Sequence, residues 1–144
     1  MNRPITTPTF ANPSLDDIRN ILRTVKTIAV VGYSPKPERP SHYVAADLQA
    51  RGYRIIPVRP AINDGLGEKA YARLTDLPEV PDLVDVFRES SAVAAIVDDC
   101  IKLGVKHLWL QDGVIDEAAA LRAKAAGITV VMNRCTLRDQ GLLI

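Results

Sequence analysis

Residues 27–41 read TIAVVGYSPKPERPS and join a short apolar run to a proline-rich loop. The run from Ile28 to Val31 is rich in β-branched side chains, which predicts a strand buried on both faces, as in a parallel sheet. Gly32 ends the run, where a chain turns sharply or lets another backbone come close. Ser41 follows the loop and suits the N-cap of a helix. A buried strand, a glycine turn and a helix start place N–H groups and a helix dipole at one sheet edge, which suits phosphate.

The loop differs from the glycine-rich fingerprint of ordinary dinucleotide-binding proteins. Only Gly32 matches the G-x-G-x-x-G pattern, since Ser34 and Pro37 stand in the places of the later glycines. The loop instead has prolines, which restrict φ, and two cations, Lys36 and Arg39. A loop stiffened in this way presents its cations to an anion with little loss of entropy. A solvated connection whose charges face water is the alternative interpretation.

The composition is that of an ordinary globular chain. The 144 residues are 47% hydrophobic and 24% charged, with a formal net charge of +1, so we expect one domain with its own core and no general affinity for nucleic acid or membranes. No apolar run approaches the roughly 20 residues that span a bilayer, and no secretory pattern is visible. Cys100 and Cys135 form no C-x-x-C motif, and no zinc ligand set is recognised. A cytoplasmic protein without a metal is expected.

Apolar runs and helical patterns alternate along most of the chain. Residues 1–13 are expected to form an irregular arm and residues 14–144 a single domain. The predicted strands, numbered 1 to 5 in chain order, lie at 27–32, 53–58, 83–87, 106–110 and 128–132. The predicted helices begin near Ser14, Ser41, Ser90 and Asp116, and the last three of them end at Gly52, Gly104 and Gly127. Residues 60–81 indicate only short elements, such as a helical turn at 74–77, and the chain from Asn133 onward is expected to be a short apolar tail.

This alternation predicts an α/β fold with helices on both faces of a parallel sheet. We expect a Rossmann-like, doubly wound sheet of about five strands in the order 3-2-1-4-5, which reverses between strands 1 and 4. Pro57 indicates in addition that the end of strand 2 is at an edge or locally unpaired. Ligands bind such sheets at the carboxyl ends of the strands. The segments that follow the strands should therefore share one edge; they are 32–41, 59–60, 87–88, 111–113 and 133–135.

The residue after strand 2 bears on which nucleotide binds. Nicotinamide cofactors usually meet an acid there, which accepts hydrogen bonds from the ribose hydroxyls. This chain has Arg59 instead, and arginine suits an added phosphate. NADP and coenzyme A (CoA) both carry such a phosphate, so Arg59 does not separate them. The single-glycine loop favours CoA, because a dinucleotide normally needs closer approach of the backbone.

The chain resembles the small single-domain CoA-binding proteins, which are similar to the CoA-binding N-terminal domain of the succinyl-CoA synthetase α subunit. The resemblance runs from about Ser14 to Gly141 and rests on an ordered set of blocks at 31–41, 56–60, 66–69, 85–88, 109–111 and 132–135. It implies a Rossmann-like fold that binds CoA or an acyl-CoA. Two departures are that Arg59 stands where many relatives carry asparagine, and that residues 136–140 differ from the usual acidic-histidine ending.

The resemblance also implies a set of binding residues. Phosphates would be held by Gly32, Tyr33, Ser34, Lys36 and Arg39. The adenosine end would be bordered by Val58, Arg59, Pro60 and Phe87. The other candidates on the same edge are Pro40, Ser41, Arg88, Gln111, Asn133 and Cys135.

No acid–base or nucleophile constellation is recognised. Ser34 lacks the G-x-S-x-G context of a nucleophile, and the acidic pairs at 98–99 and 116–117 are typical of solvated helices. His42 is expected to face solvent from the first turn of its helix, with a phosphate contact as the alternative. His107 is expected to be structural.

The positions of Trp109, Cys100 and Cys135 relative to the predicted strands and helices indicate where each side chain lies. Trp109 and Cys100 are expected in the core. Cys135 follows strand 5, so one hypothesis places it close to the thiol of bound CoA and the other makes it a packed thiol.

Three classes of function remain. The leading one is a protein that binds CoA or an acyl-CoA without catalysing a reaction. The others are an enzyme, such as an NADP-linked oxidoreductase or a CoA transferase, and a redox or regulatory module that responds to CoA. The acyl group and any protein partner stay open.

Overall fold

The structure is a computed structural model, and it describes residues 9–144. Residues 9–14 form neither helix nor strand. Asn12 in this segment lies beside the backbone of Met132: its Nδ2 donates to the Met132 carbonyl at 3.0 Å, and its Oδ1 accepts from the Met132 N–H at 2.7 Å. The remainder of the predicted arm, residues 1–8, lies outside the described residues.

The described chain contains one large parallel sheet and one small hairpin. The strands are β1 (Thr27–Val31), β2 (Arg54–Val58), β3 (Asp64–Gly65), β4 (Glu68–Lys69), β5 (Leu83–Val86), β6 (His107–Leu110) and β7 (Thr129–Val131). The strands β2, β1, β5, β6 and β7 form the large sheet in that order, and β3 pairs with β4 in the antiparallel hairpin. Each strand of the large sheet agrees with a predicted strand to within one residue at either end. The doubly wound α/β class is confirmed.

The predicted strand order was wrong. The third predicted strand, β5, pairs with β1 and not with β2, so the order in the predicted numbering is 2-1-3-4-5 instead of 3-2-1-4-5. The winding therefore reverses between β1 and β5, and β2 is an edge strand. Pro57 supplies the physical reason. Its carbonyl accepts from the Tyr71 N–H at 3.0 Å on the outer side of β2, and its nitrogen, which faces the same side, has no hydrogen for a further strand.

Helices cover both faces of the sheet, as predicted. They are α1 (Leu15–Thr24), α2 (Pro40–Ala50), α3 (Val93–Leu103), α4 (Glu117–Ala125) and α5 (Thr136–Leu143). The apolar sides of α1, α2 and α5 pack in one core cluster, and those of α3 and α4 pack in a second cluster on the opposite face. Within the described residues, no helix has the length and apolar character to cross a membrane.

Two of the predicted helix starts needed correction. Ser14 does cap α1, since its side chain accepts from the Asp17 N–H at 3.1 Å. Ser41, in contrast, is not an N-cap: α2 begins one residue earlier, and Ser41 is buried in its first turn. Pro40 takes the first helical position, where its fixed φ is favourable and its missing N–H costs nothing.

The start of α3 also differs. Ser90 was predicted to cap this helix, but Ser90–Ala92 forms a 3₁₀ turn and α3 begins only at Val93. The Ser90 hydroxyl instead accepts from the Ile115 N–H at 2.9 Å. It therefore ties the segment after β5 to the loop after β6.

The β3–β4 hairpin and the helix α5 could not be predicted from the spacing of apolar residues. The hairpin turns through Leu66 (φ 53°) and Gly67 (φ 77°), and two positive φ angles are what a two-residue type I′ turn requires. The predicted apolar tail is in fact the helix α5. Its fully buried residues are polar, Thr136 and Asp139, so apolar spacing could not reveal it.

Candidate functional site

The five segments that follow the strands do meet at one edge of the sheet. Three cavities lie along this edge, and residues from segments 32–41, 59–60, 87–88, 111–113 and 133–135 line them. Asn133 is joined to the loop after β6 because its side chain accepts from the Gly113 N–H at 2.7 Å. The convergence inferred from the sequence is therefore present in the structure, despite the error in strand order.

Gly32 sets how closely the strand ends approach each other. Its φ is +86°, and a Cβ at this position would lie 2.5 Å from the Phe87 carbonyl oxygen. The Gly32 N–H donates to the Val58 carbonyl at 3.0 Å, and the Phe87 N–H donates to the Val31 carbonyl at 2.8 Å. Only glycine fits between the ends of β1, β2 and β5 without displacing backbone.

Local hydrogen bonds hold the loop after β1 in place. The His42 Nδ1 lies 2.9 Å from the Ser34 carbonyl and 3.2 Å from the Tyr33 hydroxyl. Because a carbonyl oxygen only accepts, Nδ1 donates to it. The Ser34 hydroxyl accepts from the Lys36 N–H at 3.2 Å. His42 is half-buried, so the expectation that it faces solvent was wrong: it supports the loop from the first turn of α2.

The first cavity, which we call the loop cavity, is lined by cations without ion-pair partners. It has a volume of ≈ 490 Å³, and its walls include Ser34, Lys36, Arg39, Pro40 and Ser41. Lys36, Arg39 and Arg59 are exposed and form no ion pair within residues 9–144. Three uncompensated positive charges beside a helix N-terminus make this cavity suited to a polyanion.

The second cavity, which we call the arginine cavity, lies on the α3 side of the same edge. It has a volume of ≈ 670 Å³ and is lined by Arg59, Arg73 and Arg88. Arg88 is partly neutralised because it lies 2.9 Å from Glu89. Asp99 adds a second carboxylate beside Glu89, and the other walls are mostly small or apolar, among them Val58, Pro60, Ala72, Ala92, Ala95 and Ile96. Arg73 was not among the predicted site residues; it lies in the segment 60–81, where the sequence indicates only short elements.

The third cavity, which we call the α2–α5 groove, runs between these two helices. It has a volume of ≈ 680 Å³. Cys135 is half-buried in its wall. The loop cavity shares Gly32 and Arg59 with the arginine cavity, and it shares Pro40, Phe87, Gln111 and Asp112 with the groove. The three cavities therefore form one continuous trench over the carboxyl edge.

A buried polar network lies beneath the trench. Asp85 is fully buried, and its carboxylate oxygens accept from the Gln111 amide at 2.7 Å and from the Thr136 hydroxyl at 2.9 Å. Burial raises the pKa of Asp85 to about 7, although the two hydrogen bonds act to lower it. Gln111, predicted as a binding residue, uses its amide here. It supports the floor of the trench and holds α5 against the sheet.

A second polar contact fixes the start of α5. Arg134 pairs with the fully buried Asp139 through two hydrogen bonds, of 2.6 and 2.9 Å. The Arg134 carbonyl accepts from the Trp109 indole at 2.8 Å. Polar bonds to β5, the loop after β6 and the end of β7 therefore position the helix that forms one wall of the groove.

Trp109, Cys100 and His107, which were also considered in the sequence, do not line the trench. Trp109 and Cys100 are fully buried, as predicted, and burial raises the pKa of the Cys100 thiol to about 12. His107 lies at the amino end of β6, where burial lowers its pKa although the charge of Asp82 raises it. Among the described residues, no group of three or more His, Cys, Asp or Glu side chains is placed to hold a metal ion.

The fold and the edge together define a class: a doubly wound α/β protein with a cation-lined trench at the carboxyl ends of its strands. The model of the CoA-binding domain family matches residues 26–140, and the chain belongs to this family. The resemblance inferred from the sequence blocks is confirmed.

Individual relatives agree with this assignment. The uncharacterized protein YneT of Bacillus subtilis (strain 168) is 40% identical over 124 residues, which cover 86% of this chain and 92% of YneT. The structure of a hypothetical protein from Pyrococcus horikoshii OT3 is 36% identical with a TM-score of 0.88, and the match covers 96% of this chain and 97% of that one. The acetate–CoA ligase (ADP-forming) II of Archaeoglobus fulgidus is 25% identical over 95 residues, 65% of this chain but only 14% of the ligase.

Proposed function

We propose that this chain is a single-domain cytoplasmic protein that binds CoA along the carboxyl edge of its sheet, without catalysing a reaction. Membership of the CoA-binding domain family supports CoA as the ligand, and the similarity to part of a ligase named for acetate and CoA agrees with it. The observation that carries the proposed position is the row of unpaired cations, Lys36, Arg39 and Arg59, along one continuous trench.

The loop cavity is the proposed site of the 5′-diphosphate. Charge-assisted hydrogen bonds from Lys36 and Arg39 would replace the water that each phosphate oxygen gives up. The start of α2 adds the positive end of a helix dipole. His42 and the prolines hold the loop before a ligand arrives, so that little entropy is lost on binding.

The arginine cavity is the proposed site of the adenosine and its 3′-phosphate. Val58, Pro60 and the alanines that line it offer flat apolar walls to an adenine ring. Arg59 and Arg73 are the two arginines of this cavity that form no ion pair within the described chain. Two such guanidinium groups suit a phosphate dianion.

The test is calorimetric titration with CoA of the wild type and of a Lys36→Ala/Arg39→Ala double variant. We expect the double variant to bind CoA roughly 1–3 kcal/mol more weakly, which is about 5- to 150-fold in Kd. The matched control is Lys26→Ala/Lys106→Ala, which removes the same charge from a cavity at the amino edge. It should bind CoA like the wild type.

Two results would overturn the proposal. An unchanged CoA affinity in Lys36→Ala/Arg39→Ala, with the circular dichroism spectrum preserved, would place the phosphates elsewhere. NADP is the competing ligand because it, like CoA, carries an added phosphate on a ribose. If the protein binds NADP more tightly than CoA, the oxidoreductase hypothesis replaces the proposal.

A further inference from the structure

The proposed sites for phosphate and adenosine leave the α2–α5 groove unassigned. Both helices begin at the carboxyl edge and run away from it, with Pro40 and Cys135 at the near end and Arg51 and Leu142 at the far end. α2 has 11 residues and α5 has 8, so the groove with both walls extends about 12 Å from the edge. It is long enough for an extended chain, and far longer than a single small ion requires.

Two of the three charged groups that line the groove pair with each other. Arg138 forms two hydrogen bonds with Asp112, both of 2.8 Å. The third, Arg51, is exposed at the far end, donates to the neutral side chain of Gln140 and forms no ion pair within residues 9–144. The other walls are mostly apolar and include Pro40, Tyr43, Val44, Phe87, Leu137 and Leu142. Because the one cation without an ion pair lies at the far end and the walls between are mostly apolar, most of the groove favours an uncharged, apolar occupant over a further phosphate.

Two apolar side chains of the groove are left exposed to water. Tyr43 is 47% exposed near the edge, and Leu142 is 73% exposed at the far end. They mark the two ends of an apolar path along the groove. Removing such surface from water is favourable and scales with the apolar area that is covered.

The groove also opens directly into the loop cavity, because Pro40, Phe87, Gln111 and Asp112 line both. We infer that the α2–α5 groove receives the acyl chain of an acyl-CoA, so that the ligand is a CoA thioester of an apolar acyl group of medium length. The inference rests on the proposed function, since the phosphates must be held in the loop cavity for the pantetheine arm to cross these shared walls and carry the acyl chain into the groove.

The experiment is titration with CoA, acetyl-CoA, hexanoyl-CoA and decanoyl-CoA. For the wild type, Kd should fall about three- to fourfold for each methylene group that enters the groove, and then level off once the groove is filled. Leu142→Glu should abolish most of this gain and leave the Kd for CoA itself unchanged. The matched control is Val80→Glu, at an apolar residue that is 50% exposed beside the amino edge; it should keep the full dependence on chain length.

Each contrary result has a distinct meaning. Binding of CoA with the same Kd at every chain length overturns the groove assignment and leaves the proposed function standing. Failure of every CoA compound to bind overturns the proposed function, and the inference with it. A chain-length gain that survives in both Leu142→Glu and Tyr43→Glu places the acyl chain elsewhere. A wild-type dimer that dissociates in Leu142→Glu during sedimentation shows that a second copy of the chain covers the groove, and this too overturns the inference.

Discussion

The two edges of the sheet have cavities of similar volume that differ in the charged groups that line them. The amino-edge cavity measures ≈ 570 Å³ and the loop cavity at the carboxyl edge ≈ 490 Å³. At the amino edge the carboxylate of Asp82 accepts from the N–H groups of Lys26 and Thr27, at 2.8 and 3.2 Å. The protein therefore supplies its own anion there. The amino-edge cavity is lined by two lysines, Lys26 and Lys106, whereas the loop cavity is lined by three cations beside the N-terminus of α2. The third cation and the helix N-terminus, and not volume, therefore distinguish the candidate ligand site.

The largest effect is expected from the glycine at the carboxyl edge. Gly32→Ala would combine a positive φ with a Cβ placed 2.5 Å from the Phe87 carbonyl oxygen, at a cost of about 2–5 kcal/mol in the free energy of unfolding. CoA binding should be lost with it. Gly127→Ala at the amino edge is the matched control, since its φ is +90° but no neighbouring atom of residues 9–144 lies within 4 Å of the new Cβ. Urea denaturation should show a clearly smaller loss, and an equal loss in the two variants would contradict the account.

The buried carboxyl beneath the trench should make stability depend on pH. The pKa of Asp85 is raised from 3.8 to about 7, so its contribution is fully present below about pH 4 and is lost as pH rises toward 7. Asp85→Asn cannot titrate. The variant should therefore gain roughly 2–4 kcal/mol relative to the wild type between pH 4 and pH 8. Urea denaturation at the two pH values measures this, and a constant difference between the proteins would refute the raised pKa.

The built-in anion at the amino edge should matter for stability alone. Asp82→Ala would replace the acceptor of the exposed Lys26 and Thr27 N–H groups by water, at a cost of about 0.5–1.5 kcal/mol. The hydrogen bonds also explain why the pKa of Asp82 is lowered although burial acts to raise it. CoA affinity in folded Asp82→Ala should equal that of the wild type. A drop in affinity would indicate that the two edges are not independent.

The smallest effect concerns Arg73. Arg73→Ala should weaken binding of CoA by about 1 kcal/mol, or about fivefold in Kd, if this arginine contacts the 3′-phosphate. Dephospho-CoA, which lacks that phosphate, should bind the variant and the wild type equally. Equal weakening for both ligands would mean that Arg73 contacts another part of the molecule.

The sequence predicted the carboxyl edge better than it predicted the sheet. Buried parallel strands such as β1 have continuous β-branched runs, and glycine turns follow directly from φ requirements, so the segments at the edge could be found. Strand order depends on pairing, which no local pattern reports. Pro57 indicated that the end of strand 2 lies at an edge or is locally unpaired, and the first of these alternatives is the one found in the structure.

Other parts of the site could not be found from local patterns. The helix α5 is anchored by Thr136 and Asp139, which interact with residues distant in sequence, so it has no apolar periodicity to detect. Arg73 reaches its cavity from a segment with almost no regular structure. Both become visible only when the tertiary contacts are known.

The most direct test of the central claim is a crystal structure of the protein with CoA. The account predicts the diphosphate within hydrogen-bonding distance of Lys36 and Arg39, at the start of α2, and the adenosine against Arg59 and Arg73. Density for CoA at the amino-edge cavity, or diphosphate density away from the loop after β1, would contradict it.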